Sequence, residues 1–363
     1  MDRMKLGVSL LNYRPGHVGG IETYIRKLID AFAAPGQTHE IHFIAGRDVA
    51  DTLPDSAHRQ VVPLSGKGVV GWRCIEAFTP WRAEKVARRI DAAGYDAILF
   101  PQQSIFPIGI ETPSVLTVVD VQHLHRPEHY GLFDTHFRRA IYPPSLEKSR
   151  RIIAISQATK QDLVTLCGID EEKVAVIHMG FDATPVSEVA PERVVKEPYF
   201  YYPAATFPHK GHADLLRCFA RLKEQRTAPK LVFSGMQTPL WKGLQKQVRD
   251  LGLADDVIHV GFVPYEQVVS LYSHAEAILF PSEFEGFGMP VLEAVRYGKP
   301  IFCSGLPVFE ELGVPAGNRL DFRDENVLLS VMENLKPTVL LNPPISWAQC
   351  AEKTLQAVGE AVR

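Results

Sequence analysis

Cysteine is scarce in this sequence. Only five of 363 residues are Cys (Cys74, Cys167, Cys218, Cys303 and Cys350), an odd number, scattered and without a C-x-x-C pair. That argues against a disulfide framework or a zinc site and predicts a reducing compartment. Long apolar runs are missing too: nothing approaches the roughly 20 residues a membrane-spanning helix needs. The start, Met1-Asp2-Arg3-Met4-Lys5, leads into a short apolar segment without a signal-peptide pattern, so the expected state is soluble and cytoplasmic. Charge of one sign is not in excess: 39 basic against 42 acidic residues leave a formal net charge of −3. A dedicated nucleic-acid binder would show a large basic surplus. There is no low-complexity tract and no short tandem repeat.

What is present is alternation. Buried-strand patterns fall at 5–11, 40–44, 97–100, 114–119, 151–155 and 174–177. After the first of them come the turn Gly16-His17-Val18-Gly19-Gly20 and a helical stripe of Ile21, Tyr24, Ile25, Leu28, Ile29 and Phe32. Residues 157–167 read as a further helix. The stretch 182–198, with Pro185, Pro191 and Pro198 and no periodicity, reads as a linker. Strands at 199–202, 230–233, 257–260, 277–280 and 300–303 then alternate with helices at 212–224, 240–251, 265–273 and 290–297. A helix at 347–362 closes the chain. The fold class is α/β: two Rossmann-like, doubly wound domains of parallel sheet, 1–182 and 183–345, expected to face each other across a cleft. The helix in 346–363 is expected to pack back toward the first domain. Ligands in such sheets bind beyond the carboxyl ends of the strands.

The most informative segment is Phe280-Pro281-Ser282-Glu283-Phe284-Glu285-Gly286-Phe287-Gly288-Met289-Pro290-Val291-Leu292-Glu293-Ala294. A strand ends, a Gly-rich loop follows, and Pro290 sits where a first helical residue belongs. Backbone N–H groups of Gly286 to Met289, at the positive end of a helix dipole, suit an anion. Glu285 in the loop and Glu293 in the expected first helical turn flank that edge. Carboxylates accept hydroxyl hydrogen bonds, which makes them natural readers of sugar and ribose.

Glu285 and Glu293, inside P-S-x-x-E-G-F-G-x-P-V-L-E-A, resemble the E-x7-E signature of family 4 glycosyltransferases with the GT-B fold, in the branch that assembles polysaccharides and O-antigen. Other pieces match in order. Gly19-Gly20-Ile21-Glu22 resembles the family's G-G-[I/V]-E loop, and Asp120-Val121-Gln122-His123 with Pro127-Glu128 resembles its H-D-[L/V]-Q-H-x-x-x-P-E string. Ala154-Ile155-Ser156-Gln157-Ala158-Thr159 resembles V-S-x-x-[S/T], Pro208-His209-Lys210-Gly211-His212 resembles P-[R/H]-K-[G/N]-H, and Gly261-Phe262-Val263 resembles G-[F/Y]-V.

The resemblance implies a retaining hexosyltransferase whose first domain is acceptor-side and whose second binds a nucleotide sugar. Glu285, Lys210, His123 and Asp120 would be catalytic. The donor would be held by Gly19, Gly20, Lys210, Val263, Glu285, Gly286, Phe287, Gly288 and Glu293. Lys210 and the loop amides would stabilise the departing diphosphate, Glu285 would hold the sugar and Glu293 the ribose. No two aspartates stand two apart, so the D-x-D motif of many metal-dependent transferases is missing and no metal or cofactor is expected. The first expected donor is GDP-mannose, with rhamnosyl or glucosyl transfer from dTDP or UDP donors as alternatives. The acceptor would be a growing surface polysaccharide or a lipid-linked saccharide. Where the family commonly has His before Asp120, this sequence has Val119. His123 or His125 would then substitute, or the sugar would be handled differently, or the chain would be a catalytically silent nucleotide-sugar-binding partner.

The residues by themselves allow plainer readings: Lys210 as a surface lysine, Glu293 as a charge on a helix dipole, Ser156 and Thr159 as helix-start residues. Basic and aromatic residues cluster at Phe78, Trp81, Arg82, Lys85, Arg88 and Arg89, and again at Arg138-Arg139 and Lys148 to Arg151. They suggest a peripheral contact with anionic lipid at the inner membrane face, the alternative being a solvated helix face.

Overall fold

The computed structural model describes residues 3–15, 20–62, 71, 76, 80–182, 192–342 and 344–363. Gly19 and Phe78 therefore lie outside the described residues. The chain forms two compact units, Met1–Phe181 with Pro344–Arg363, and Asp182–Pro343.

The first unit is built on seven parallel strands: β1 (Lys5–Ser9), β2 (Glu40–Ala45), β3 (His58–Val61), β4 (Ala97–Phe100), β5 (Ser114–Val118), β6 (Arg151–Ala154) and β7 (Val174–Val176). They lie in the order β3-β2-β1-β4-β5-β6-β7. The second holds six: β8 (Tyr199–Pro203), β9 (Lys230–Ser234), β10 (Val257–His259), β11 (Ala277–Phe280), β12 (Ile301–Ser304) and β13 (Arg319–Leu320). Their order is β10-β9-β8-β11-β12-β13, again all parallel. In each sheet the order reverses once, between β1 and β4 and between β8 and β11. The same tetrapeptide, Ala-Ile-Leu-Phe, forms β4 and β11, and all eight of its residues are buried. A strand covered on both faces needs such an uninterrupted apolar run.

The closing helix Trp347–Val362 belongs to the first unit. Ser346 and Gln349 form a reciprocal capping box at its start. Arg151 and Glu360 pair at 2.7 Å, and the Phe181 N–H donates to the Ile345 carbonyl at 2.8 Å.

Several elements escape the alternation pattern, β13 among them, and three show plainly why. β3 is His-Arg-Gln-Val, a polar edge strand with no apolar run. Half of the residues of the helix Pro80–Asp91 are charged. The helix Leu132–Lys148 runs through Pro143 and Pro144, which a local reading treats as breakers. There the Ser145 hydroxyl donates to the Ile141 carbonyl at 2.7 Å and accepts the Ile105 N–H at 3.1 Å, which ties the helix to the loop after β4.

Candidate functional site

In the second unit the chain leaves β8 and β11, the strands on either side of the sheet's reversal point, through two loops that are bound to each other. The β8 loop ends in a 3-10 turn, Pro208–Lys210, closed by Gly211 at φ 65°. A Cβ at Gly211 would lie 2.3 Å from the Pro281 carbonyl oxygen, so only glycine lets the loops meet. The buried Tyr202 hydroxyl donates to the Lys210 carbonyl at 2.6 Å and lies 3.3 Å from the Ser282 hydroxyl. Glu283 N–H donates to the His209 carbonyl at 2.8 Å, and the Ser304 hydroxyl donates to the Ser282 carbonyl.

This lattice brings Lys210 Nζ to 2.5 Å from Glu285 Oε1, with both side chains less than a fifth exposed. Beyond Glu285, Gly286 stays partly open while Phe287 is buried as an anchor. Gly288 turns the chain at φ 101°, its missing side chain leaving room for the Phe309 ring, and caps the helix Met289–Arg296.

That start corrects two expectations. Pro290 is the second helical residue, and having no N–H it adds no donor to the anion-binding edge. Glu293 stands in the second turn, not the first, so complementing the helix dipole does not explain it. Its Oε2 accepts the Tyr272 hydroxyl at 2.7 Å. Burial raises its pKa, opposed by that hydrogen bond and by Arg296. Val263 follows β10, half-buried, behind an exposed Phe262. Its loop is anchored by Gly261, whose N–H donates to His259 Nδ1 at 2.9 Å and whose carbonyl accepts the Gly235 N–H at 2.8 Å.

In the first unit Gly20 opens the helix Gly20–Phe32 and is exposed. Asp120 follows β5, and its Oδ1 accepts the Gln122 N–H at 3.0 Å. The site where the family has His is held from below by a residue that pattern reading missed. Gln103, in the loop after β4, accepts the Val119 N–H at 2.7 Å and donates to the Asp120 carbonyl at 2.6 Å. Its one sequence signal is a polar residue shortly after a buried strand. His123 sits edge-on to Tyr142 and Tyr130, 5.1 and 6.5 Å between ring centres. Burial, then the Arg138 charge, lowers its pKa to about 4, so it is neutral at physiological pH. His125 is 2.8 Å from Asp162. Ser156 caps the helix Gln157–Cys167 by accepting the Thr159 N–H.

Of the basic clusters, Trp81 is exposed beneath the Arg82 guanidinium. Arg138 is drawn inward, over the Tyr130 ring and onto the Tyr142 hydroxyl, and Arg151 pairs with Glu360. No helix among the described residues is long and apolar enough to cross a membrane.

Comparison with known proteins adds family and fold. A family model described as glycosyltransferase family 4 matches residues 18–185, and one described as glycosyl transferases group 1 matches 187–327. An O-antigen chain mannosyltransferase of Salmonella typhimurium is 26% identical over 221 residues, 61% of this chain and 60% of that protein. O-antigen chain mannosyltransferase B of Escherichia coli is 22% identical over 369 residues, 93% of this chain and 95% of that one. Among solved structures, Anabaena HepE in complex with UDP and glucose superposes with a TM-score of 0.69 at 18% identity, covering 99% of this chain and 100% of that one. A glycosyltransferase from Rickettsia africae gives 0.64 at 16%, covering 100% and 99%. At these identities the structural likeness is one of fold.

Proposed function

Because this chain belongs to glycosyltransferase family 4 and has the GT-B fold, we propose that it transfers a hexose, with retention and without a metal, from a nucleotide sugar to a growing surface-polysaccharide or lipid-linked saccharide. GDP-mannose is the first donor we assign, supported by relatives named as O-antigen mannosyltransferases. The second unit is the donor unit in this reading and the first the acceptor unit.

The observation that carries it is the Lys210–Glu285 pair beside the Gly286–Gly288 loop. An ammonium has three N–H donors. With one on Glu285, two remain for oxygens of a diphosphate. Glu285 keeps its second oxygen for a hydroxyl of the sugar. One ion pair thus grips both sides of the bond that breaks. As the sugar departs from the diphosphate, negative charge grows beside the ammonium and, in this reading, the loop amides. Each tenfold in rate needs about 1.4 kcal/mol of such stabilisation. The acceptor attacks the face from which the diphosphate leaves, and Glu293 holds the ribose. With Val119 in place of the family's His, the neutral His123 and Asp120 are the polar groups we assign to the transferred sugar in the first unit.

The test is a thermal-shift panel of GDP, UDP, dTDP and their sugars, followed by transfer assays with and without EDTA. Stabilisation follows affinity, so one nucleotide should stand out. Failure of all of them to stabilise the protein overturns the reading. Loss of transfer in EDTA overturns its metal independence. Two alternatives have an observation behind them. HepE, one of the fold neighbours, was crystallised with UDP and glucose, which favours a UDP donor. Val119 favours a silent partner, which would bind donor yet neither transfer nor hydrolyse it. Peripheral contact with anionic membrane through Trp81, Arg82, Lys85, Arg88 and Arg89 completes the reading, and absence of liposome co-sedimentation at low salt would remove it.

A further inference from the structure

Tyr272 is one of the largest fully buried side chains in the chain, and its hydroxyl has one hydrogen-bond partner, Glu293 Oε2 at 2.7 Å. Its ring is fixed on two sides. Tyr201 meets it edge-on at 5.1 Å and 88°, and Tyr297 stacks on it at 5.2 Å and 16°. The helix Tyr265–His274 is fastened to β8 one residue earlier, where the Tyr199 hydroxyl donates to the Leu271 carbonyl at 2.9 Å. Tyr201 is itself tied to Ser234 at 2.6 Å. The phenol cannot turn away, so the carboxylate it holds has one orientation. Glu293 Oε1 makes no hydrogen bond among the described residues.

A core that needed only an aromatic filler would be served by Phe, with no carboxyl to desolvate. Here a carboxyl is carried into a tyrosine cluster, one oxygen is taken by protein and the other is left over. We propose that Tyr272 is a positioning residue: it pins Glu293 so that the remaining oxygen meets the vicinal hydroxyls of the donor's ribose, making the pair a reader of ribose against 2′-deoxyribose. This rests on Glu293 as the ribose contact in the function proposed above. It also narrows the donor class. A site built to receive both hydroxyls forfeits one charge-assisted hydrogen bond when the 2′-hydroxyl is missing, so ribonucleotide sugars are preferred over 2′-deoxyribonucleotide sugars such as dTDP donors.

The experiment is isothermal calorimetry on the full chain with GDP, UDP, 2′-deoxy-GDP and 2′-deoxy-UDP, comparing the parent with Tyr272→Phe and Glu293→Ala. For the base that binds, the parent should prefer the ribose form by roughly tenfold or more. Tyr272→Phe should cut that ratio several-fold while changing deoxy affinity little, a shift that mere loss of packing would not produce. Glu293→Ala should bring the ratio close to one. An unchanged ratio in Tyr272→Phe, with a collapsed one in Glu293→Ala, overturns the inference and leaves the Glu293 assignment standing. A ratio untouched by Glu293→Ala, or a parent without ribose preference, removes that assignment and the inference together. Should Tyr272→Phe fail to fold, Tyr272→Met, equally without a donor but adaptable in shape, decides by the same ratio.

Discussion

Lys210 Nζ lies 2.5 Å from Glu285 Oε1, although 75 residues separate them and each comes from a loop after a different strand. The two strands, β8 and β11, are hydrogen-bonded neighbours at the point where the second sheet reverses. Open parallel sheets form their ligand crevices there, because the loops on either side run off in opposite directions.

Removing the cation should therefore affect chemistry as well as stability, since it leaves the mostly buried Glu285 unpaired. Lys210→Ala is expected to lower kcat by about 10²–10³, the usual effect of deleting one stabiliser of developing charge. Glu285→Ala strands a mostly buried ammonium and should also lower unfolding free energy by about 1–3 kcal/mol. Urea titrations of both single variants and the double variant measure the coupling, and additivity would show that the pair does not interact.

Gly211→Ala tests the junction between the loops. With φ at 65° and the Pro281 oxygen 2.3 Å from the new Cβ, the backbone must move. A loss of roughly 2–4 kcal/mol is expected, with donor nucleotide affinity falling alongside. Native stability with intact affinity would contradict the packing described.

Gln103 should govern the segment that carries Val119 and Asp120. Gln103→Leu removes both of its hydrogen bonds to that backbone. Hydrogen exchange at the Val119 amide is expected to accelerate at least tenfold, about 1.4 kcal/mol of lost protection. Turnover should fall more than donor affinity. Val119→His is the companion: a gain in turnover would implicate the side chain this sequence lacks.

Acid should weaken the fold through its buried histidines. Burial lowers His123 and His259 to about 4, and burial with the nearby His259 and Lys210 lowers His212 to about 3, against 6.5 unperturbed. The unfolded chain then binds more protons between those values, so their contribution is complete above about pH 6.5 and is lost as pH falls toward 3–4. The urea midpoint should drop across that window, and His212→Phe should shallow the slope. An unchanged slope in the variant would exclude His212 as a contributor.

Much was legible from the residues alone, and for identifiable reasons. Ala97–Phe100 and Ala277–Phe280 announce themselves because a strand buried on both faces has no polar positions to disguise it. The helix Gln157–Cys167 is bounded by local signals, a Ser cap and a following Gly. The long E-x7-E string identifies the family because its loop geometry depends on residues adjacent in sequence. The helix Leu132–Lys148 was hidden because Pro143 and Pro144 look like breakers. The Ser145 hydroxyl, between the Ile141 carbonyl and the Ile105 N–H, fastens this helix to the loop after β4, and no local pattern records that.

The sequence by itself determined the class of fold and the family, since strand burial, glycine turns and the glutamate string are properties of neighbours along the chain. Tertiary structure alone decided the partnerships. Lys210 with Glu285, Tyr272 with Glu293, and Gln103 with the Val119–Asp120 backbone span 75, 21 and 16–17 residues. So did the register that moved Glu293 into the second turn, where a phenol can reach it. Those contacts exist because parallel crossovers bring distant loops and helices together beside each sheet, and which side chains meet there is set by strand order and helix register.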